Sequence, residues 1–367
     1  MKKCLWIFLF FAATPLCAQN EDFAFEDRIY VDYIASVKFH IDGLPLSYPV
    51  IDLDSPTPLL LRFDDLEGEV KTYTYTIVHC DSDWTPSQLN EMEYLEGFAG
   101  ETIRDYRFSF KTVVNFTHYW VQLPNQDMRW TKSGNYLLIV YEDEGQRIPV
   151  ITRRFMVVDP IVKISPQLVR PAKVSKTRTH QEIDFLVDHE QIDIRTPLTE
   201  VKAAVLQNGR WDNAIKNIQP AFTRYRQLIF DHQDKIVFPA GKEFRNFDLR
   251  SLRSRSEHIA AIERYKDRTD VILYKDESRA RQSYSFIEDI NGKFTIETFE
   301  ESNFDLSSDY ASVFFSLAAD EPFYDHDIYI VGEVTAWQLR DEFQMIYNNS
   351  LNAYVAKPLL KQGFYNY

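Results

Sequence analysis

Three cysteines, eleven glycines and no long apolar run beyond the amino terminus are what the 367 residues lack most plainly. Cys4 and Cys17 fall in the leader described below, so Cys80 alone remains and an internal disulfide is excluded. Stability must therefore come from packing, with Cys80 read as a small buried residue on a strand. Eleven scattered glycines could hardly build a phosphate loop or a dinucleotide fingerprint, and no Gly-x-Ser-x-Gly elbow occurs. The eight histidines never take the helical spacing that aims two imidazoles at one zinc ion. Basic residues are in deficit as well: 41 Lys and Arg against 55 Asp and Glu give a net charge of −14. That balance argues against a general nucleic-acid binder and against adhesion to an anionic membrane.

What the chain does hold is aromatic bulk, 27 Phe, 21 Tyr and 6 Trp, too much for a disordered polymer. Residues 1–18 read as a secretory signal, with Lys2 and Lys3 ahead of an apolar run from Leu5 to Ala13 and Ala18 before the cut. Its removal takes the charge to −16, because only those two lysines leave. No later run is apolar enough to span a bilayer. The mature protein is therefore expected to be exported without a direct membrane span.

Strand patterns recur from Tyr30 to Val158; in Thr72 to Val78 the large residues take every second place, the spacing of one sheet face. The fold class predicted is all-β, with tandem immunoglobulin- or fibronectin-like β-sandwich domains. Asp159-Pro160 marks a boundary, giving a first domain over 19–159. A second β-rich domain is expected over 160–308, with hairpin turns at Asn208-Gly209 and Asn291-Gly292. A third, over 309–367, has the order of an early-set module and reads as incomplete, because it stops where another strand begins. Trp337 within it could stack on a sugar ring, yet has no obvious aromatic partner, and is assigned to core packing.

Two features suit a partner surface. A polar and aromatic insertion between Thr85 and Tyr106 carries Trp84, Tyr94 and Phe98 as candidate anchors. Asp81 and Asp83 at its start are expected to anchor a turn rather than a calcium loop. A basic island, Arg245, Arg250, Arg253 and Arg255, interrupts the acidic chain and reads either as a docking patch or as a face balanced by Glu243, Asp248 and Glu257.

His79-Cys80-Asp81, Asp83-Trp84, Ser87, Glu93-Tyr94-Leu95, Gly97-Phe98, Asp105-Tyr106, Leu123-Pro124 and Ser133-Gly134-Asn135-Tyr136 together resemble the plug protein family of the Bacteroidota type IX secretion system. Glu243-Phe244-Arg245, Phe247-Asp248 and Arg250-Ser251-Leu252-Arg253 continue the likeness. The resemblance implies a non-enzymatic periplasmic protein, without cofactor or metal, that sits at the periplasmic mouth of the outer-membrane translocon β-barrel and occludes its pore. The alternative is a secreted carbohydrate-binding β-sandwich protein.

Overall fold

The computed structural model describes residues 23–143 and 147–367, so the leader read at 1–18 lies outside the described residues. In the first unit the strands are Ile34–Ile41 (β1), Leu59–Asp65 (β2), Tyr73–Cys80 (β3), Asp105–Phe108 (β4), Thr117–Leu123 (β5), Gly134–Asp143 (β6) and Arg147–Val158 (β7). One antiparallel sheet runs β1, β2, β5, β4; β3, β6 and β7 form the middle of a second, with short strands at 28–29, 50–52 and 101–102 completing it. The two sheets enclose a sandwich core, as the alternating residues predict. Tyr73, Tyr75 and Ile77 all point inward and are buried. Phe63 and Tyr119 stack at 5.3 Å, with Tyr73 edge-on to Tyr119 at 4.9 Å and its hydroxyl donating to Asp65 at 2.7 Å. That bond satisfies the polar tip that burial would otherwise strand.

The second unit comprises Lys163–Val169 (β8), His180–Asp188 (β9), Ala203–Val205 (β10), Ile215–Ile218 (β11), Phe222–Arg224 (β12), Gln227–Phe230 (β13) and Val237–Pro239 (β14). A five-stranded sheet, β8, β9, β13, β12 with β14 on β9, is covered in part by the two-stranded β10–β11. Its core is small; Phe185 and Phe230 stack at 4.3 Å at its centre. Strand β10 is short and begins only at Ala203, after a single helical turn at Pro197–Glu200 that Pro197 opens. Asn208 and Gly209 both take the expected positive φ and the Arg210 amide bonds the Gln207 carbonyl at 3.2 Å, but this turn lies within a connection over 206–214 and does not join β10 and β11 as a tight hairpin.

The third unit holds Asn246–Asp248 (β15), Ile259–Arg264 (β16), Thr269–Leu273 (β17), Phe294–Ile296 (β18), Tyr310–Ala318 (β19), Gln344–Asn348 (β20), Ala353–Ala356 (β21), Leu359–Lys361 (β22) and Gly363–Asn366 (β23). It corrects the expected division at 308/309. β23 lies between β15 and β18, and β17 pairs in parallel with β19, so one core draws on residues from Phe247 to Tyr365. Tyr365 is stacked between Phe247 at 5.1 Å and Phe294 at 5.4 Å. A pairing that closes over more than a hundred residues leaves no local mark in composition. Asn291-Gly292 does turn with positive φ, but only its far side, β18, is a strand.

Candidate functional site

The insertion after β3 starts with the Asp-anchored turn that its sequence predicts. Asp83 accepts from the Thr85 amide at 3.2 Å and from its hydroxyl at 2.7 Å. The turn holds Trp84 at φ +69° and directs the indole inward, so Trp84 is buried and does not offer itself to a partner. Its ring meets Trp211 of the second unit edge-on at 4.9 Å, with the Arg154 guanidinium 4.5 Å above it. Tyr94 is buried too. A short helix, Glu91–Tyr94, is capped by Asn90 and Glu93, and sets the tyrosine ring between His79 and Tyr136. Two of the three anchor candidates are therefore packing residues: large aromatics gain most where water is excluded, and the insertion folds back on its own sheet to exclude it.

The residues carrying the family resemblance make that fold-back. His79 bonds Ser87 at 2.8 Å and the Ser133 carbonyl at 3.3 Å. Gly134, at φ +148°, has the His79 ring where a side chain would start, with Nε2 2.3 Å from an ideal Cβ. Only glycine fits beneath that imidazole.

Phe98 is the anchor candidate that stays at the surface, 61% exposed. The edge strand β4 and its continuation add Tyr106, Phe108 and Phe110, all exposed. Phe108 and Phe110 carry no sequence signal of their exposure, because an edge strand has the same alternation as an inner one. Within the basic island, Arg245 is bound by the Asp276 carboxylate and the Glu277 carbonyl. Arg250 forks onto Asp248 at 2.7 Å, reaches Glu297 at 3.2 Å and lies 4.5 Å over the Phe299 ring. Burial would raise the Asp248 carboxyl, but the Arg250 bonds outweigh it and hold it below the ordinary range. Arg253 is exposed. The island thus divides into two balanced structural arginines, Arg245 and Arg250, and two exposed ones, Arg253 and Arg255.

A charged seam joins the first and third units. Strands β1, β2 and β5 place Ser36, Lys38, Arg62, Asp64 and His118 on the outer face of their sheet, a pattern that reads as solvated. Instead the third unit covers it. Asp64 receives Lys361 and His118 at 2.6 Å each and the Tyr310 hydroxyl at 2.7 Å, and Tyr310 also meets Ser36 at 2.7 Å. Lys38 pairs with Glu333, Arg62 with Asp305 at 2.7 Å, and Asp309 accepts the Val113 and Val114 amides. A cavity of about 210 Å³ remains on the seam between His40, Arg62 and Phe304. Burial would raise the Asp64 carboxyl; the Lys361 ammonium and His118 prevail and keep it low.

His40 lines the same cavity. Burial pushes its imidazole below the usual histidine range; its bond to the Ile41 carbonyl opposes this, and the Arg62 and Lys38 cations add to it. A histidine lowered on folding contributes stability that is full above the unfolded value of about 6.5 and is lost as pH falls through the folded one. Thermal melts from pH 7.5 to 5 should therefore show a declining midpoint. The decline should be shallower in His40→Gln; an identical slope in the two chains would remove His40 from the effect.

The second unit enters between the other two through its 206–214 connection. Gly209 abuts Tyr48, with an ideal Cβ 2.0 Å from the ring; Arg210 lies 4.4 Å over Trp337; Trp211 meets Trp84. Trp337 also has Phe244 edge-on at 5.8 Å, the aromatic partner that its local sequence did not reveal. The Asn208-Gly209 signal is thus both a turn and the point where three units meet.

Residues 34–159 match the family model described as type 9 secretion system plug protein 1st domain. The chain is also similar to the crystal structure of a hypothetical protein from Parabacteroides merdae ATCC 43184. The two are 32% identical with a TM-score of 0.88, over 94% of this chain and 86% of that one. No curated protein matches. The first sandwich, with its His79 and Gly134 fold-back, thus falls within a known secretion-system domain, and the chain belongs to the type 9 secretion system plug protein family.

Proposed function

We propose that the chain is an exported, non-enzymatic plug that binds the periplasmic mouth of the type IX secretion outer-membrane barrel and occludes its pore. The observation that carries this reading is the match of the first sandwich to the plug domain, and the joining of the units supports it. Occlusion needs bulk and interface area rather than chemistry. The seam at Asp64 and the turn at Gly209 present the β-units together. Phe98, Tyr106 and Phe108 are the exposed aromatics suited to the barrel contact, with Arg253 as a rim charge. The carbohydrate alternative loses its motive, since Trp337 is engaged by Arg210 and Phe244.

Affinity purification of the tagged native protein should recover an outer-membrane β-barrel. Phe98→Asp combined with Phe108→Asp should lower that recovery by about tenfold or more, without changing the melting midpoint. Recovery of no barrel by the unaltered protein overturns the reading. Unchanged recovery by the double variant removes those two residues from the contact.

A further inference from the structure

The average charge conceals a reversal. Between residues 160 and 242 there are thirteen Lys and Arg against nine Asp and Glu, a net of +4, while the rest of the chain carries −18. The excess is concentrated further: Lys163, Arg170, Lys173, Lys176 and Arg178 occur over residues 163–180 with no acid among them. None of the five forms an ion pair among the described residues. They belong to one hairpin, the edge strand β8 and the connection from it to β9.

The same hairpin exposes aliphatic surface. Ile164, Pro166 and Leu168 stand opposite Val187, Phe185 and Ile183, and so lie on the core-side face of the sheet. The covering pair β10–β11 leaves β8 open, however, and Ile164 and Leu168 are 59% and 63% exposed. Val174, between Lys173 and Lys176 at a one-turn helix, is 84% exposed. Asp184 and Asp188, opposite Gln167 and Lys163, lie on the other face.

We propose that this hairpin docks the second unit on an anionic phospholipid surface, its aliphatic side chains entering the headgroup boundary and its cations meeting lipid phosphates. Exposed aliphatic residues followed in the chain by Arg170, Lys173, Lys176 and Arg178 suit a membrane interface, while Lys163, opposite Asp188, faces the other way. The face has no tyrosine or tryptophan, the residues that dominate tight protein contacts. Pro166 also removes a backbone donor from the edge, which opposes pairing with an added strand. Because the remainder of the chain is negative, an anionic surface selects this face and fixes the orientation of approach.

The test is co-sedimentation of the full chain with vesicles in about 0.1 M salt. The chain should sediment with phosphatidylglycerol-containing vesicles and stay in solution with phosphatidylcholine ones. Each basic residue near an anionic leaflet contributes enough that Arg170→Glu, Lys173→Glu and Lys176→Glu together should lower partitioning on the order of 100-fold. Leu168→Ser with Val174→Ser, which leaves the charge alone, should lower it about tenfold or more. Absence of sedimentation by the unaltered chain, or equal sedimentation of the charge-reversed one, overturns the proposal. If the reversal instead abolishes recovery of the barrel while the unaltered chain ignores vesicles, the face meets an acidic protein and membrane docking is refuted. A chain that recovers the barrel but not vesicles keeps the plug reading and loses only this one.

Discussion

Replacing Lys361 by methionine is expected to cost about 3–5 kcal/mol of stability, because it leaves the Asp64 carboxylate buried without its cation. Both side chains of the pair are 1% exposed and 2.6 Å apart. His118 and Tyr310 still donate to Asp64, but neither supplies the ammonium charge. The same reasoning predicts a large cost for Asp64→Asn and a smaller one for the double change Asp64→Leu with Lys361→Met, which buries no ion at all. Chemical denaturation of the three variants measures this; equal loss in Lys361→Met and the double variant would show that shape, not charge, governs the seam. The pH dependence has a defined sign. A carboxyl held low in the fold contributes stability above its unfolded value of about 3.9, and that contribution disappears as pH falls through the folded value.

Trp84→Ala should be of similar size, about 3–5 kcal/mol, as the removal of a large, fully packed aromatic side chain. Its effect should also be directional. Without the indole, Trp211 and Arg154 lose the ring they share across the junction of the first and second units. The second unit has a small core, and proteolysis of the variant should accelerate near Asp159-Pro160, where the chain passes between the two units. Phe98→Ala supplies the contrast: an exposed ring whose loss should move stability by no more than about 0.5 kcal/mol. A Trp84→Ala chain with parental stability and protease resistance would return that residue to the list of surface anchors.

Much of the fold is legible locally. Period-two alternation in Tyr73, Tyr75 and Ile77 names the buried face correctly, since side-chain direction along a strand is set by backbone geometry alone. The Asp83 turn and the Asn208-Gly209 turn are equally local, resting on side-chain and backbone preferences within four residues. The candidate site is less so. Trp84, Tyr94 and Phe98 are alike as sequence, but two are buried and one is exposed, because burial depends on what folds over each. In the basic island Asp248 does balance Arg250, as its proximity suggests, while Arg245 finds Asp276 some thirty residues away.

From the sequence alone come the all-β class, the first sandwich and its family likeness, each a property of composition, short-range period or contiguous motif. Tertiary structure decided the rest: that the third unit begins near β15, that a charged sheet face is a seam rather than a solvated surface, and that the Asn208-Gly209 turn joins three units. Those depend on pairings such as Asp64 with Lys361 and β15 with β23, between residues far apart in the chain. No local pattern encodes such pairings, because the free energy of each is realised only when the intervening segments have folded.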